Sequence, residues 1–270
     1  MLKTEMRNPN TMNIDKMDKV SVLRIINEEN MNAVKSVETE IEKIAKVCGK
    51  AEECLNNGGR MFYVGAGTSG RLGVIDAAEC PPTFGISHDK IIGIIAGGEK
   101  SMTIAAEGVE DSREAGIEDL LKYNIDSKDL VIGISAAGGA EYVQGALEAA
   151  KKKGCYTVSI TSNENSPITK MSDISIVTDT GAEVITGSTR MKAGTAQKIV
   201  LNMISTCTMI ATGKVYENLM INLKPSNKKL RKRMIGIVCE LKQCSEDEAV
   251  TALENSGWDI RKAVSDEPEN

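Results

Sequence analysis

Histidine is almost missing from this chain: His88 is the only one in 270 residues. Zinc centres and Ser-His-Asp triads both draw on imidazole, so neither is easily built here. Acid–base chemistry then falls to carboxylates, Lys, Tyr or Cys. Aromatics are scarce, with two Phe, one Trp and five Tyr, which leaves little to stack on nucleobases. Positive charge is not in excess. The 33 Lys and Arg face 38 Asp and Glu, for a net charge of −5, and this speaks against a nucleic-acid partner. No run of about 18 apolar residues occurs, so no membrane span is expected. The start, Met-Leu-Lys-Thr-Glu-Met-Arg-Asn-Pro-Asn, lacks the apolar stretch of a signal peptide. The seven cysteines (48, 54, 80, 155, 207, 239, 244) form no Cys-x-x-Cys pair. An odd, dispersed set reads as reduced thiols in a cytosolic protein.

What is present is an alternation of short apolar runs and helical patterns. Residues 18–57 have the i, i+3, i+4 spacing of helices and end at Asn57-Gly58-Gly59. Strands are then expected at 61–64, 91–95, 130–134, 157–160 and 174–177, with helices at 69–79, 101–115, 142–152, 168–171 and 193–212. This is the pattern of an α/β fold, a doubly wound parallel sheet. Ligands of such sheets lie beyond the carboxyl ends of the strands, so the loops 65–71, 135–141 and 181–192 are the ones to watch.

Near Lys228 the composition changes to a basic run, Lys228-Lys229-Leu230-Arg231-Lys232-Arg233, which reads as a solvated helix face. A capping box at Ser245 and Glu248 opens an amphipathic helix. A second helix follows Ser256-Gly257-Trp258. The expected division is therefore 1–228, the main domain with its N-terminal helical arm, and 229–270, a small helical module similar to ubiquitin-associated folds.

The most informative stretch is Tyr63 to Phe84. A buried strand enters a glycine turn, then hydroxyls, then a helix. Unpaired N–H groups at a helix start suit an anion. Gly65, Gly67 and Gly70 permit close backbone approach, and Thr68 and Ser69 offer hydroxyls. The Gly-x-Gly-x-x-Gly spacing superficially matches a dinucleotide fingerprint. No acidic residue follows at the end of a second strand about 20 positions on, so a single phosphomonoester suits the turn better. A second polar loop holds Glu183, Thr186, Ser188, Thr189, Arg190 and Lys192 just before an expected helix near Ala193, and makes a second anion-ready surface.

The segment Gly-Ala-Gly-Thr-Ser-Gly-Arg-Leu-Gly-Val-Ile-Asp-Ala-Ala-Glu-Cys-Pro-Pro-Thr-Phe-Gly (65–85) resembles the signature of N-acetylmuramic acid 6-phosphate etherases. So do Ile95-Ala-Gly-Gly-Glu99, Glu107-Gly-Val-Glu110-Asp111 and the segment from Glu183 to Gln197. Thr4-Glu5-x-Arg7-Asn8-Pro9 and Gly213-Lys-Val-Tyr-x-Asn-Leu-Met220 match as well. The resemblance runs from residue 1 to about 264. It implies a sugar-isomerase-type domain, a homodimer, and a cytosolic lyase that removes D-lactate from a sugar phosphate in amino-sugar catabolism and peptidoglycan recycling.

Matched residue by residue, the resemblance implies Glu79 as the acid and Glu110 as the base. Gly67, Thr68, Ser69, Gly70 and Ser135 are expected around the phosphate, with Glu183, Ser188, Thr189, Arg190 and Lys192 completing the substrate site. No metal or cofactor is expected. Ser69 and Glu79 are ten residues apart, about 15 Å on a continuous helix. Either the helix ends early at Ala77–Ala78, or Glu79 serves a site completed by the other subunit; the second is favoured. The loop Ile134-Ser-Ala-Ala-Gly-Gly-Ala-Glu-Tyr142 departs from the usual Ala-Ala-Ser-Gly-Arg-Thr-Pro-Tyr of etherases, and Glu141 adds a carboxylate that suits a phosphate site only if it points away. Two rivals stay open: a sugar-phosphate-binding regulator without turnover, like the distantly related glucokinase regulatory proteins, and an aldose–ketose isomerase.

Overall fold

Five short apolar runs form strands: β1 (Met61–Gly65), β2 (Ile91–Ile95), β3 (Leu130–Ile134), β4 (Tyr156–Thr161) and β5 (Ile174–Val177) in a computed structural model that describes residues 2–265. All pairings are parallel, in the order β2-β1-β3-β4-β5. Every residue of β1 and β3 is buried, as central strands covered on both faces require. The sheet builds outward from β1 in both directions, so the connections diverge between β1 and β3. A crevice forms at the carboxyl ends of strands on either side of such a reversal. Gly65 and Ile134, the last residues of β1 and β3, are paired across it.

The chain divides into two compact units. One comprises the residues up to Ala78 together with Asp89–Thr208, and the other Glu79–His88 together with the residues from Met209 onward. In the first, Phe62, Val64, Ile94 and Val131 face Tyr142, Val143, Ala146 and Leu147 of α5 (Glu141–Lys152). Leu120 of α4 (Arg113–Leu121) and Ile168 of α6 (Pro167–Met171) complete that layer. Burying each such side chain contributes roughly 1.5–3 kcal/mol. On the opposite face α3 (Gly67–Phe84) lies so close that a Cβ on Gly73 would sit 2.8 Å from the Tyr63 Cβ. The helices α1 (Lys19–Glu38), α2 (Ile41–Asn56) and α7 (Lys192–Ala211) complete the unit. Asp18 caps α1 by accepting from the N–H groups of Val20 and Ser21. The α2 thiol Cys48 rests against the carbonyls of Met203 and Ile204 on α7.

The second unit has its own apolar core. Met234 and Val238 of α8 (Lys228–Lys242), Ala249 and Leu253 of α9 (Glu246–Asn255), and Ile260 of α10 (Ile260–Val264) are buried together. The capping box at Ser245 and Glu248 forms. Arg231 lies over the Trp258 ring at 4.8 Å, and the rest of the basic run is solvated, save the half-buried Leu230.

Two expectations are corrected. The helix expected at 101–115 is not continuous. Residues 99–102 and 109–111 are single 3₁₀ turns and α4 starts only at Arg113. Gly108 adopts φ +74°, which ends any helix there, and Ser112 then caps the new one by accepting from Ala115 N–H. The helix expected to stop at Glu79 instead runs unbroken to Phe84, through Pro81 and Pro82. Each proline removes one helical N–H, but Gly85 closes the last turn by donating to the Pro81 carbonyl at 2.9 Å. Its φ of +67° makes the glycine stop.

Among the described residues no helix is long and apolar enough to cross a membrane. The seven thiols are unbridged, and burial pushes those of Cys48, Cys54 and Cys155 up to about 12.

Candidate active site

At the crevice between β1 and β3 lies a cavity of about 400 Å³, a size that suits a small sugar phosphate. It is lined by the turn after β1 (Ala66 to Ser69) and the loop after β3 (Ser135 to Ala137, with Gly139 and Ala140), by Glu110 and Asp111, by Glu5, and by Gly187 and Thr189. A larger cavity of about 740 Å³ sits at the opposite, amino ends of β3 and β4. Of its three lysines, Lys50 and Lys151 pair with its own Glu53 and Asp173 at 2.8 and 3.5 Å, and it holds none of the expected site residues. Chemistry, not size, selects the smaller one.

The first turn of α3 supplies the donors. The N–H of Gly70 already bonds to the Ala66 carbonyl at 3.2 Å. Those of Gly67, Thr68 and Ser69 precede the helical ladder and are the ones left for an anion. Gly67 takes φ +53° with open space around its Cα. Gly70 serves packing instead, because a Cβ there would meet the Gly65 carbonyl oxygen at 2.6 Å. Gly65 and Gly70 thus let strand and helix touch, and Gly70 stands behind the lining of the cavity, not in it.

Ser135 is nearly buried, at 8% exposure. Its Oγ accepts from the Gly138 N–H at 3.1 Å, which leaves its own proton for a ligand. Ser69, equally buried, donates instead to Gln197 Oε1 at 2.9 Å. Glu110 is delivered by the 3₁₀ turn Val109–Asp111, whose Val109 packs against the main core.

The loop 181–192 is arranged differently from the expected second anion surface. The carboxylate of Glu183, fully buried, accepts from the N–H groups of Lys192 and Ala193 at 3.0 and 2.9 Å. The protein's own anion therefore caps α7, and no helix end is left for a ligand. Lys192 is 1% exposed and forms a buried ion pair with Glu29. Burial pushes the Glu29 carboxyl up, but hydrogen bonds from Lys192, Asn10 and Asn8 outweigh this and hold it below the usual carboxylate range. Lys192 is thereby committed to Glu29. From this loop only Gly187 and Thr189 line the cavity; Ser188 is half-buried and Arg190 exposed elsewhere.

Glu141 does point away. Arg113 Nη1 donates to its carboxylate at 2.8 Å, and Gln144 Nε2 donates at 3.2 Å. The residues brought together at the cavity all belong to the first unit. Glu79 belongs to the second, ten residues along α3 from Ser69.

Sequence reasoning gave no role to Glu5 or Asp111, the further carboxylates of the cavity. Both lie in motifs already singled out, Thr4-Glu5-x-Arg7-Asn8-Pro9 and Glu107 to Asp111. The missing information was tertiary. Thr4 and Asn163 hydrogen-bond at 3.2 Å, and Lys3 N–H donates to Asn163 Oδ1 at 2.8 Å, so the N-terminal segment is tied beside the cavity.

Comparison with known proteins agrees with the fold. A profile described as "Glucokinase regulatory protein N-terminal SIS domain" matches residues 41–151, and one described as "SIS domain" matches residues 102–206. Among solved structures, the phosphoheptose isomerase of Neisseria gonorrhoeae is similar in fold, with a TM-score of 0.52 and 16% identity over 71% of this chain and 99% of that one. A phosphoheptose isomerase from Francisella tularensis gives a TM-score of 0.50 and 14% identity over 71% and 98%. The N-acetylmuramic acid 6-phosphate etherase of Clostridium beijerinckii is 49% identical over 97% of this chain and 86% of its own length. That of Staphylococcus epidermidis is 50% identical over 97% and 89%, and that of Bacillus subtilis 49% identical over 97% and 86%. With close to half of all positions shared along nearly the whole chain, and the fold agreeing, the protein belongs to the N-acetylmuramic acid 6-phosphate etherase family.

Proposed function

We propose that this chain is a cytosolic carbon–oxygen lyase that cleaves the D-lactyl ether of N-acetylmuramic acid 6-phosphate, giving N-acetylglucosamine 6-phosphate and D-lactate. The observation that carries the reading is the cavity at the β1/β3 reversal, where Glu110 shares a wall with Thr68, Ser69 and Ser135. The N–H groups of residues 67–69 and these hydroxyls hold the phosphate. Glu110 takes the C2 proton of the open-chain sugar, made acidic by the C1 carbonyl. The electron pair closes a C2–C3 double bond as the C3–O bond breaks, and Glu79 protonates the departing lactate oxygen. Water then adds across the double bond, its hydroxyl at C3 and its proton at C2. Every step is a proton transfer, an elimination or an addition, so none calls for a metal or a redox partner.

Two features support an active site shared between two copies in a homodimer. The helix α3 continues through Glu79, so Glu79 stands about 15 Å along its axis from Ser69. No Lys or Arg is among the residues lining the cavity, although the substrate carries both a phosphate and a lactyl carboxylate. A second copy would supply Glu79 and the missing positive charge.

Purified protein is incubated with N-acetylmuramic acid 6-phosphate and free D-lactate is assayed. Release is expected from the wild type, and its loss by at least about a hundredfold in Glu79→Gln and in Glu110→Gln, the scale of general acid–base catalysis. Sugar-phosphate binding with no lactate from the wild type would favour the regulator reading instead. Near-normal turnover in either variant would remove that residue from the mechanism.

A further inference from the structure

The two serines of the phosphate site are wired differently. Ser135 receives a hydrogen bond from the Gly138 N–H, so its own proton is free to point at a ligand. Ser69 gives its proton to Gln197 Oε1 at 2.9 Å and so presents only lone pairs to the cavity it lines. A phosphate dianion also has only lone pairs. In that state Ser69 and the phosphate repel.

Gln197 carries the remedy. It is fully buried on α7, and its Nε2 has no hydrogen-bond partner. A buried, unpaired amide N–H is destabilising. Turning the side-chain amide by half a turn, within the same volume, brings Nε2 onto Ser69 Oγ. The orphan donor is then satisfied and the Ser69 proton is released toward the cavity. The Gln197 oxygen takes the unpaired position, and an under-satisfied carbonyl is better tolerated than an orphan N–H.

We propose that Gln197 is a positioning residue for the phosphate site: its amide donates to Ser69, as the Gly138 backbone donates to Ser135, and thereby fixes Ser69 as a donor to the dianion. The inference rests on the reading that Ser69 meets the phosphate.

The test measures KM and kcat for N-acetylmuramic acid 6-phosphate, and the Ki of inorganic phosphate, against pH in the wild type, Gln197→Glu, Gln197→Met, Ser69→Ala and Ser69→Ala/Gln197→Glu. In the wild type, affinity rises as the phosphate loses its second proton near pH 6. The carboxylate introduced by Gln197→Glu can only accept from Ser69 when ionised, and can donate to it when protonated. Affinity in Gln197→Glu is therefore expected to fall as pH rises, the opposite sign. At pH 8 its KM and the phosphate Ki rise by about tenfold to a hundredfold, the worth of one hydrogen bond to a charged group, while kcat holds. Gln197→Met removes the orienting donor and adds no charge. It raises KM only several-fold and keeps the wild-type pH trend. In Ser69→Ala the glutamate has no further effect, because Gln197 acts through that hydroxyl. An unchanged KM at pH 8 in Gln197→Glu, a wild-type pH trend in it, or a full additional loss in the Ser69→Ala background would overturn the proposal. If Ser69→Ala alone leaves KM unchanged, it is the phosphate reading that fails, and the role of Gln197 goes with it. Should Gln197→Glu fail to fold, Gln197→Met decides: unchanged affinity for phosphate at pH 8 sinks the proposal.

Discussion

Lys192 and Glu183 are residues whose types suggest ligand binding and whose surroundings assign them elsewhere. A cation in a polar loop before a helix reads as a phosphate anchor. Here the ammonium is sealed against Glu29, and that carboxylate also takes hydrogen bonds from Asn8 and Asn10, each at 2.8 Å. The pair ties α1 and the N-terminal segment to the start of α7. Because the Glu29 carboxyl is held below its ordinary value, its contribution is complete above the unfolded pKa of about 4.3 and is lost as pH falls through the lower, folded value. Glu29→Ala leaves a buried lysine without its partner and is expected to cost about 3–5 kcal/mol at neutral pH. The gap to the wild type should narrow as pH falls through that lower, folded value, where the wild-type carboxyl becomes protonated too. Chemical unfolding of both proteins between neutral pH and pH 3 checks this. A constant difference across that range would mean that packing, not charge, holds the site.

At the scale of elements, periodicity was a good guide wherever one pattern ran unopposed. All five strands, their alternation with helices and the capping box of α9 are legible, because each follows from local propensity and from the burial of a period-2 or period-3.6 face. Where two local rules competed, the sequence was ambiguous. The double proline at 81–82 argues for a stop, yet Gly85 closes the turn and α3 continues. The apolar residues of 101–115 argue for one helix, yet Gly108 and the Ser112 cap split it. The glycine turn after β1 was legible as a motif. The partners that fix the hydrogen bonding of Ser69 in that turn and of Lys192 at the start of α7, Gln197 and Glu29, are 128 and 163 residues away in the chain, and no local pattern reports such distances.

The contact between β1 and α3 gives a test of sign. Alanine favours a helix interior over glycine by about 0.5–1 kcal/mol, so Gly49→Ala on α2, where nothing lies within 4 Å of the added Cβ, should raise stability by that amount. At Gly70 the same change sets a Cβ 2.6 Å from the Gly65 carbonyl oxygen and 2.7 Å from Ile95 Cγ1. Overpacking against backbone reverses the sign and costs about 1–3 kcal/mol. It should also raise KM, since the helix start proposed to hold the phosphate must shift. Denaturant midpoints of the two variants, measured side by side, should move in opposite directions. A stabilised Gly70→Ala would show that strand and helix have room to part.

At the scale of the whole molecule, the proposed chemistry asks for two carboxylates at one sugar, while one chain carries Ser69 and Glu79 ten residues apart on an unbroken helix. A homodimer in which each site takes Glu110 from one copy and Glu79 from the other meets both demands. The arrangement has a signature that no single-chain site can produce. On this reading Glu79→Gln and Glu110→Gln are each expected to be inactive on their own. When the two are mixed and allowed to exchange subunits, half of the dimers pair one of each. In such a dimer one site has lost both carboxylates and the other has kept both. The mixture should therefore regain about a quarter of wild-type lactate release per chain, the proportion that two-fold symmetry dictates. Recovery should need exchange, so it should appear after mild dissociation or co-expression and not on brief mixing. A mixture that is shown by mass to contain mixed dimers, and yet releases no lactate, would place both glutamates of a site on the same chain.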